Sequence, residues 1–321
     1  MGSPRAMYQN YLDAMALVQE FGKPDLFITV TCNPKWPEIT RHLKYGETSH
    51  DRPDLTARVF QMKLKKIKND LFKECIFGKV VAHTHVIEFQ KRGLPHAHIL
   101  LILSAEHKLR TTDDYDNIVC AEIPDPVLQP KLYNIVTTAM VHGPCGQPGI
   151  KKACEKSAQS INNTCRFNFP KKLQQNTTED KDSYPSYRRR EGTTFTRGVG
   201  ESAETIDNKW ISSYSPILSS KYNCHINVEI CASISAVKYL HKYIFKGHDM
   251  TMITLEKEND AGGNPPPVNE IKEYSAARYV TANEAIWHLF GFEMSSLSPS
   301  IIRYCLYVIL NLLHNNIFIA L

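Results

Sequence analysis

The sequence predicts an α+β fold in which a central antiparallel β-sheet is flanked by helices. Strand-like and helix-like runs alternate without the regular strand–helix–strand rhythm of a parallel sheet. Two β-like runs, residues 80–89 and 97–103, are joined by a turn over residues 91–95 that contains Gly93 and Pro95. Such a pair of runs is typical of a hairpin, which favours antiparallel pairing.

Periodicity indicates the other elements. Alternation of side-chain type predicts strands over residues 25–31 (DLFITVT) and 222–230 (YNCHINVEI). Helical apolar spacing predicts helices over residues 58–74, 233–245 and 282–290. The first of these helices carries several lysines on its outer face, which either solvate the helix or contact a DNA backbone.

The chain is predicted to consist of five segments. In order they are a helical lead-in (1–22), the first part of a core (23–110), an insertion (111–200), the second part of the core (201–300) and an atypical apolar tail (301–321). Polar residues interrupt the tail, which predicts a core helix or an unusual chain end in preference to a membrane anchor.

The amino-acid composition excludes few classes of protein. The formal net charge is +5, from 38 basic and 33 acidic residues, which suits a nucleic-acid ligand and an ordinary soluble enzyme equally well. The nine cysteines are odd in number and scattered, and no apolar leader opens the chain. Reduced thiols in the cytosol or nucleus are therefore expected, and a secreted disulfide scaffold is not.

Two histidines and one glutamate form a candidate metal site. His96 and His98 are two residues apart in a predicted strand, so their side chains project from the same face. Glu88 lies on the facing arm of the hairpin, where its carboxylate can become a third ligand. A structural role for the pair is the alternative, and His83 and His85 have the same spacing one strand earlier.

Two tyrosines form a candidate nucleophile pair. Tyr239 and Tyr243 are four residues apart in a predicted helix, so both hydroxyls lie on one helix face. Lys242 and Lys246 follow each tyrosine by three residues, and a nearby cation favours the phenolate form. Periodicity alone also fits two core tyrosines.

Basic and thiol residues supply further candidates. Residues 171–197 are predicted to form an exposed charged arm, in which Arg188, Arg189 and Arg190 are candidate DNA contacts, as are Lys91 and Arg92 in the hairpin turn. A cluster of residue types suited to tetrahedral zinc comprises His142, Cys145, Cys154 and Cys165. Their loose spacing also fits buried thiols and a loop histidine.

Several long motifs resemble the Helitron replication-initiator (helitron helicase-like) domain of the HUH endonuclease superfamily. They are PDLFITVTCNPKWPEI (24–39), HVIEFQKRGLPHAHILLIL (85–103), KYNCHINVEI (221–230), AVKYLHKYIFKGHD (236–249) and ARYVTANEAIWHLFGF (277–292). The resemblance covers roughly residues 13–300. It implies a HUH/Rep-like sheet with the His-x-His strand in its middle and the tyrosine helix packed nearby.

The resemblance also implies a chemistry. His96 and His98 match the metal-binding pair, Tyr239 and Tyr243 match paired nucleophiles, and Glu88 falls where related initiators have a third polar ligand. The implied reaction nicks single-stranded DNA at transposon ends, with Mg²⁺ or Mn²⁺, to give a 5′-phosphotyrosine and a free 3′-hydroxyl. Thr29 and Thr31 are expected to shape the sheet beside the site, and a nuclear location follows from the family. The zinc-type cluster also occurs in the family's pattern.

The chain departs from the family in one respect. It contains no G-x-x-x-x-G-K-[ST] phosphate loop, so the helicase module of full-length members is expected to be absent and unwinding is not expected. An active nickase and strand transferase is the first interpretation. A catalytically idle DNA-binding remnant is the second, and a zinc-dependent hydrolase, which leaves the paired tyrosines unexplained, is the third.

Overall fold

The computed structural model describes residues 4–89, 93–145, 154, 165, 167–179, 185–198, 203–231 and 280–301. Several predicted features lie outside the described residues. They are the tyrosine helix with Tyr239, Lys242, Tyr243 and Lys246, the turn residues Lys91 and Arg92, and the apolar tail beyond residue 301.

The described helices are α1 (Pro4–Phe21), α2 (Pro37–Thr40), α3 (Pro53–Phe72), α4 (Thr112–Ile118), α5 (Pro130–Ala139), α6 (Pro216–Tyr222) and α7 (Ala282–Leu289). The described strands are β1 (Leu26–Thr31), β2 (Val80–Phe89), β3 (Pro95–Leu103), β4 (Thr194–Arg197), β5 (Glu204–Asp207), β6 (Ile226–Ile230) and β7 (Ser295–Ser298). Among the described residues, no helix is both long enough and apolar enough to cross a membrane.

Five of these strands form one antiparallel sheet in the spatial order β6–β1–β3–β2–β7. The fold is therefore α+β with an antiparallel sheet, as predicted, and the His-x-His strand β3 lies in its middle. The strands β4 and β5 pair separately as a small antiparallel ribbon. The predicted hairpin β2–β3 pairs along nearly its whole length, with one irregularity near Val80.

The central strand β3 is buried on both faces, and every one of its residues has a buried side chain. On one face Ile99 and Leu101 join the main hydrophobic core. On the other face Leu100 and Ile102 pack with a second cluster to which α1 contributes Ala14 and Leu17. Because both faces are covered, the strand reads as a nearly continuous apolar run that only the two histidines interrupt.

Helix α3 covers the first of these faces. It begins at Pro53, whose missing amide hydrogen costs nothing in the first turn. Its apolar residues recur along one side, and Phe60, Leu64 and Ile67 are almost completely buried in the main core. Each such side chain contributes roughly 1.5–3 kcal/mol on burial, so this face holds α3 firmly on the sheet. The lysines consequently face outward, as the sequence predicts.

The insertion has a small core of its own, formed between α5 and the segment before α6. Its buried members include Leu132, Val136 and Met140 from α5 and its C-cap, and Ile211 and Tyr214 from the later segment. Two isolated bridges extend the contact, one between Cys120 and Tyr214 and one between Val141 and Ile211.

The prediction of an exposed arm over residues 171–197 is wrong at Arg189. This side chain is only 4% exposed, and its Nη1 donates hydrogen bonds to the carbonyl oxygens of Ala121, Asn208 and Ile211 at 3.1, 2.6 and 2.6 Å. A run of three arginines suggests a solvated surface, but the middle one satisfies buried carbonyls that have no strand partner. Arg189 therefore cannot contact DNA directly, and its role is to hold the insertion together.

We expect Arg189→Met to lower the free energy of unfolding by about 1–3 kcal/mol, because the substitution removes the side-chain donor from the buried carbonyl oxygens of Ala121 and Ile211. Arg197→Met is the matched control, since Arg197 is an exposed residue of β4. Urea denaturation followed by tryptophan fluorescence measures both changes. Equal stability of the two variants would contradict the structural role of Arg189.

Candidate functional site

A row of polar side chains crosses one face of the sheet where β1, β2 and β3 meet. In the β1–β3 register Thr31 is opposite His96 and Thr29 is opposite His98. Directly paired residues of antiparallel strands point to the same face, so the two histidines and the two threonines share one side of the sheet. The Thr31 Oγ1 lies 3.0 Å from His96 Nδ1, and the Thr29 Oγ1 lies 3.1 Å from His98 Nδ1.

These threonines fix the orientation of the imidazole rings. A hydroxyl at each Nδ1 leaves the Nε2 atom of each ring as the group available for a ligand. His98 is further held by stacking on Phe27, with ring centroids 5.8 Å apart and planes 11° apart. These two hydrogen bonds give a physical reason for the expectation that Thr29 and Thr31 shape the sheet beside the site.

Glu88 completes the row from β2. It is opposite His96 in the β2–β3 register, and its Oε2 lies 3.0 Å from the Nε2 of His98. When the ring is neutral, Nε2 donates to the carboxylate and Nδ1 accepts from the Thr29 hydroxyl. The predicted proximity of Glu88 to the histidine pair is therefore present, while its role as a metal ligand stays a prediction.

Burial sets the charge state of His96. Its side chain is 6% exposed, and burial together with the neighbouring His98 and His225 lowers its pKa to about 3. The ring is therefore neutral at physiological pH and keeps a lone pair for a metal ion. A protonated imidazole cannot act as a ligand, so this shift favours metal binding.

Sequence reasoning missed one member of the row, His225. Its Nδ1 lies 3.3 Å from the Thr31 Oγ1, the same hydroxyl that contacts His96. The backbone places it there, because the amide of Thr31 donates to the carbonyl of His225 at 2.9 Å. Burial lowers the pKa of His225, so this ring is also neutral. The sequence signal that could have indicated His225 is its position within the motif KYNCHINVEI. The alternating pattern of that motif predicted only a strand.

The other histidine pair, His83 and His85, lies on the opposite face of the sheet. Both are odd-numbered residues of β2, whereas Glu88 and Val86 belong to the even-numbered set that faces the site. His83 stacks on Phe72 of α3, with ring centroids 3.7 Å apart. The two pairs with equal spacing therefore have different surroundings.

Of the predicted DNA contacts, Arg188 and Arg190 are at the surface and engaged with acidic groups. Arg190 forms a two-pronged ion pair with Glu122, with nitrogen–oxygen distances of 2.9 and 2.7 Å. Arg188 lies 3.3 Å from Asp116 and 3.5 Å from Glu122. A DNA contact for either arginine stays a prediction and would have to compete with these carboxylates.

The predicted zinc-type cluster comes together in the insertion. One ligand atom from each of His142, Cys145, Cys154 and Cys165 lies within 4.8 Å of the others. The Nε2 of His142 is 3.7 Å from the Cys145 sulfur and 3.4 Å from the Cys165 sulfur. Tetrahedral zinc, with bonds of about 2.3 Å to sulfur and 2.0–2.1 Å to nitrogen, separates its ligand atoms by roughly 3.5–3.8 Å. The cluster can therefore bind a metal such as zinc.

Local contacts prepare the cluster for a metal. The backbone amide of His142 donates to the carbonyl of Trp210 at 2.8 Å, and its ring stacks on Phe169 at 4.1 Å between centroids. Burial, with the charge of Lys171, lowers the pKa of His142. Burial acts to raise the pKa of Cys165, but hydrogen bonds from the amides of Phe169 and Phe167 outweigh it and the net shift is downward. Burial raises the pKa of the Cys145 thiol to about 12 and also raises that of Cys154, so these two thiols become ligands when a metal displaces their protons.

Comparison with known proteins finds a family match in the first part of the chain. Residues 1–101 match the family model for the Helitron helicase-like domain at the N-terminus. This match confirms the resemblance over a region that contains β1, β2 and most of β3, and with them Thr29, Thr31, Glu88, His96 and His98. No curated protein matches the chain. The family match supports a role related to Helitron transposition.

We expect purified protein to carry about one zinc ion per chain at the cluster. Cys165→Ser should remove most of it and lower the unfolding temperature, because serine is a poor zinc ligand and the bound metal stabilises the folded state. Elemental analysis and a thermal melt measure these two changes. Cys75→Ser is the control, since Cys75 is a half-buried thiol after α3 and outside the cluster. Zinc content unchanged by Cys165→Ser would contradict the assignment.

Proposed function

We propose that the chain nicks single-stranded DNA at transposon ends and transfers the cut strand through a 5′-phosphotyrosine intermediate. The single observation that carries the proposal is the polar row, in which two imidazoles, their threonine partners and Glu88 lie within a region that matches the Helitron family model. A nuclear location and action on the ends of a transposon follow from the same family relationship.

The donor set of the row fits Mg²⁺ or Mn²⁺. Glu88 contributes a hard carboxylate oxygen, and His96 and His98 contribute imidazole nitrogen atoms. The 3.0 Å separation of Glu88 Oε2 and His98 Nε2 equals the distance between adjacent ligands of an octahedral ion with bonds of about 2.1 Å. When bound there, the ion would supply Lewis-acid polarisation of a phosphoryl oxygen.

The protein groups would perform a phosphodiester exchange. A phenolic oxygen of Tyr239 or Tyr243 attacks phosphorus and loses its proton, while the bond from phosphorus to the 3′-oxygen breaks and that oxygen takes up a proton. The number of phosphoester bonds is conserved, so joining needs no further energy source. A 3′-hydroxyl that attacks the phosphotyrosine reverses the step, and two tyrosines allow two strands to be held in succession.

The proposal is tested with labelled single-stranded DNA and Mn²⁺. We expect a covalent protein–DNA adduct on a denaturing gel, and we expect Tyr239→Phe/Tyr243→Phe to abolish it because no nucleophile remains. His96→Ala/His98→Ala should lower the rate of adduct formation by at least about 100-fold. Tyr45→Phe/Tyr133→Phe is the matched control and should form the adduct at the normal rate.

Two other outcomes would overturn the proposal. If no adduct forms with varied DNA sequences and with both metals, the chain is a DNA-binding remnant without turnover. If cleavage survives the double tyrosine substitution, the attacking group is a water molecule and the site is a metal-dependent hydrolase.

We also expect Thr31→Val to raise the Mn²⁺ concentration needed for half-maximal adduct formation by about 10–100-fold. The substitution keeps the shape of the side chain but removes the hydroxyl that orients His96 and contacts His225. Thr31→Ser restores the hydroxyl and should restore most of the metal affinity, and Thr196→Val in β4 controls for a threonine lost elsewhere in a strand. A normal metal requirement in Thr31→Val would contradict the orienting role.

A further inference from the structure

A groove lies between α3 and the segment that follows α7, on the face of the sheet opposite the polar row. It consists of two adjoining cavities of about 410 and 310 Å³, which share Gln61, Lys65 and Phe292 in their walls. Each cavity has the size of a small-molecule pocket. We call this feature the α3–α7 groove.

Basic side chains follow the groove along α3. Arg58, Lys65 and Lys66 line the first cavity, and Lys65 and Lys68 line the second. Arg58, Lys65 and Lys68 are seven and three residues apart, so they share one face of the helix and extend over about 15 Å. Within the described part of the chain, none of these four basic groups forms an ion pair within 4 Å.

A lysine on the neighbouring face of α3 differs from the groove lysines in having an ion-pair partner. Lys63, which points away from the groove, pairs with Glu38 at 2.5 Å. Among the described residues, Glu293 lies beside Lys68 in the second cavity, and Glu38, the partner of Lys63, is close enough to interact with Lys66. Lys68 has a lowered pKa because burial penalises its charge, and the charge of Lys65 adds to the effect. Four basic groups held close together, with no ion pair within 4 Å among the described residues, indicate a surface that binds an anion.

Aromatic and buried polar groups form the rest of the wall. Phe292 contributes to both cavities, and the guanidinium of Arg58 lies 4.4 Å from the centre of the Phe290 ring. His85, only 3% exposed, lines the second cavity, and its Nδ1 has no hydrogen-bond partner among the described residues. An unsatisfied buried nitrogen of this kind is uncommon and indicates that a ligand group completes it.

We propose that the α3–α7 groove binds single-stranded DNA, with the phosphates on Arg58, Lys65 and Lys68 and a base against Phe292. A row of cations beside an aromatic ring is the combination that sequence-tolerant single-strand binders use. The 15 Å span along α3 corresponds to about four nucleotides of a stacked strand at about 3.4 Å each. This site is distinct from the polar row, so the inference goes beyond the proposed nicking reaction and does not depend on it.

The groove also accounts for the run of basic residues on α3, which a solvated helix face does not explain. A purely solvating face needs neither cavities nor an aromatic wall, and its lysines normally alternate with acidic residues. From Arg58 to Lys68, α3 contains four lysines and no acidic residue. The helix therefore carries basic groups at the cavities that form no ion pair within 4 Å in the part of the chain that the structure describes.

The test measures DNA binding without nicking. A fluorescently labelled oligothymidylate is titrated with protein by anisotropy, without added Mg²⁺ or Mn²⁺. We expect Lys65→Ala/Lys68→Ala to weaken binding by at least about tenfold and to reduce the slope of log affinity against log salt by about 1.4, or about 0.7 for each lost phosphate contact. The control Lys73→Ala/Lys131→Ala makes the same change of charge at exposed lysines outside the groove.

A second variant tests the base contact. Phe292→Leu keeps an apolar side chain but removes the ring, and it should weaken binding by about fivefold or more with an unchanged salt slope. Thermal melts verify that every variant is folded, so that a loss of affinity is not a loss of structure.

Three results would overturn the inference: no binding of single strands by the wild-type protein, an equal loss in the groove and control variants, or an equal loss for duplex and single-stranded DNA. The covalent adduct is scored in a separate assay. An inactive nuclease that still loses binding in the groove variants would refute the nicking reaction and leave the groove intact.

Discussion

The pairing of β1 with β3 is the constraint on which the site depends. It places Thr31 opposite His96 and Thr29 opposite His98, and a slip of one residue would move every one of these side chains to the other face. Apolar burial fixes the register, because the alternate residues of both strands, among them Ile28 and Ile99, are fully buried in the main core. The hydrophobic pattern thus determines the geometry of the polar row without any metal.

Buried polar contacts connect the insertion to the same sheet. The hydroxyl of Tyr187 donates to Glu229 of β6 at 3.0 Å and accepts from the amide of Ile230 at 2.8 Å. Two residues later Arg189 holds the carbonyls of Asn208 and Ile211, and the carbonyl of Trp210 between them accepts from His142. A metal at the Cys/His cluster would therefore stabilise a segment that is bonded, through Arg189 and Tyr187, to the edge of the five-stranded sheet.

Whether the sequence predicts an interaction in this protein depends on how far apart along the chain the two interacting residues are. The hairpin with Glu88 and His98 follows from local alternation and a turn, because the two residues are only ten apart. His225 and Arg189 do not follow, since the partner of His225 is 194 residues away and the carbonyls around Arg189 come from segments without regular pairing. The Cys/His cluster is intermediate: its residue types indicated zinc, but His142 and Cys165 are 23 residues apart and only the folded chain brings them together.

Net charge is a poor guide to where this protein would meet DNA. The total of +5 is small, and it does not show that three buried carboxylates are each paired with a basic group: Asp25 with Lys108, Asp70 with Lys221, and Glu122 with Arg190. Those pairs satisfy buried or half-buried carboxylates. The basic residues in them are therefore not available to bind an anionic ligand. On α3 the balance differs, because among the described residues Lys63 is the only one of its four lysines that forms an ion pair. Local pairing, which composition cannot show, therefore decides which basic residues are free to bind a phosphate backbone.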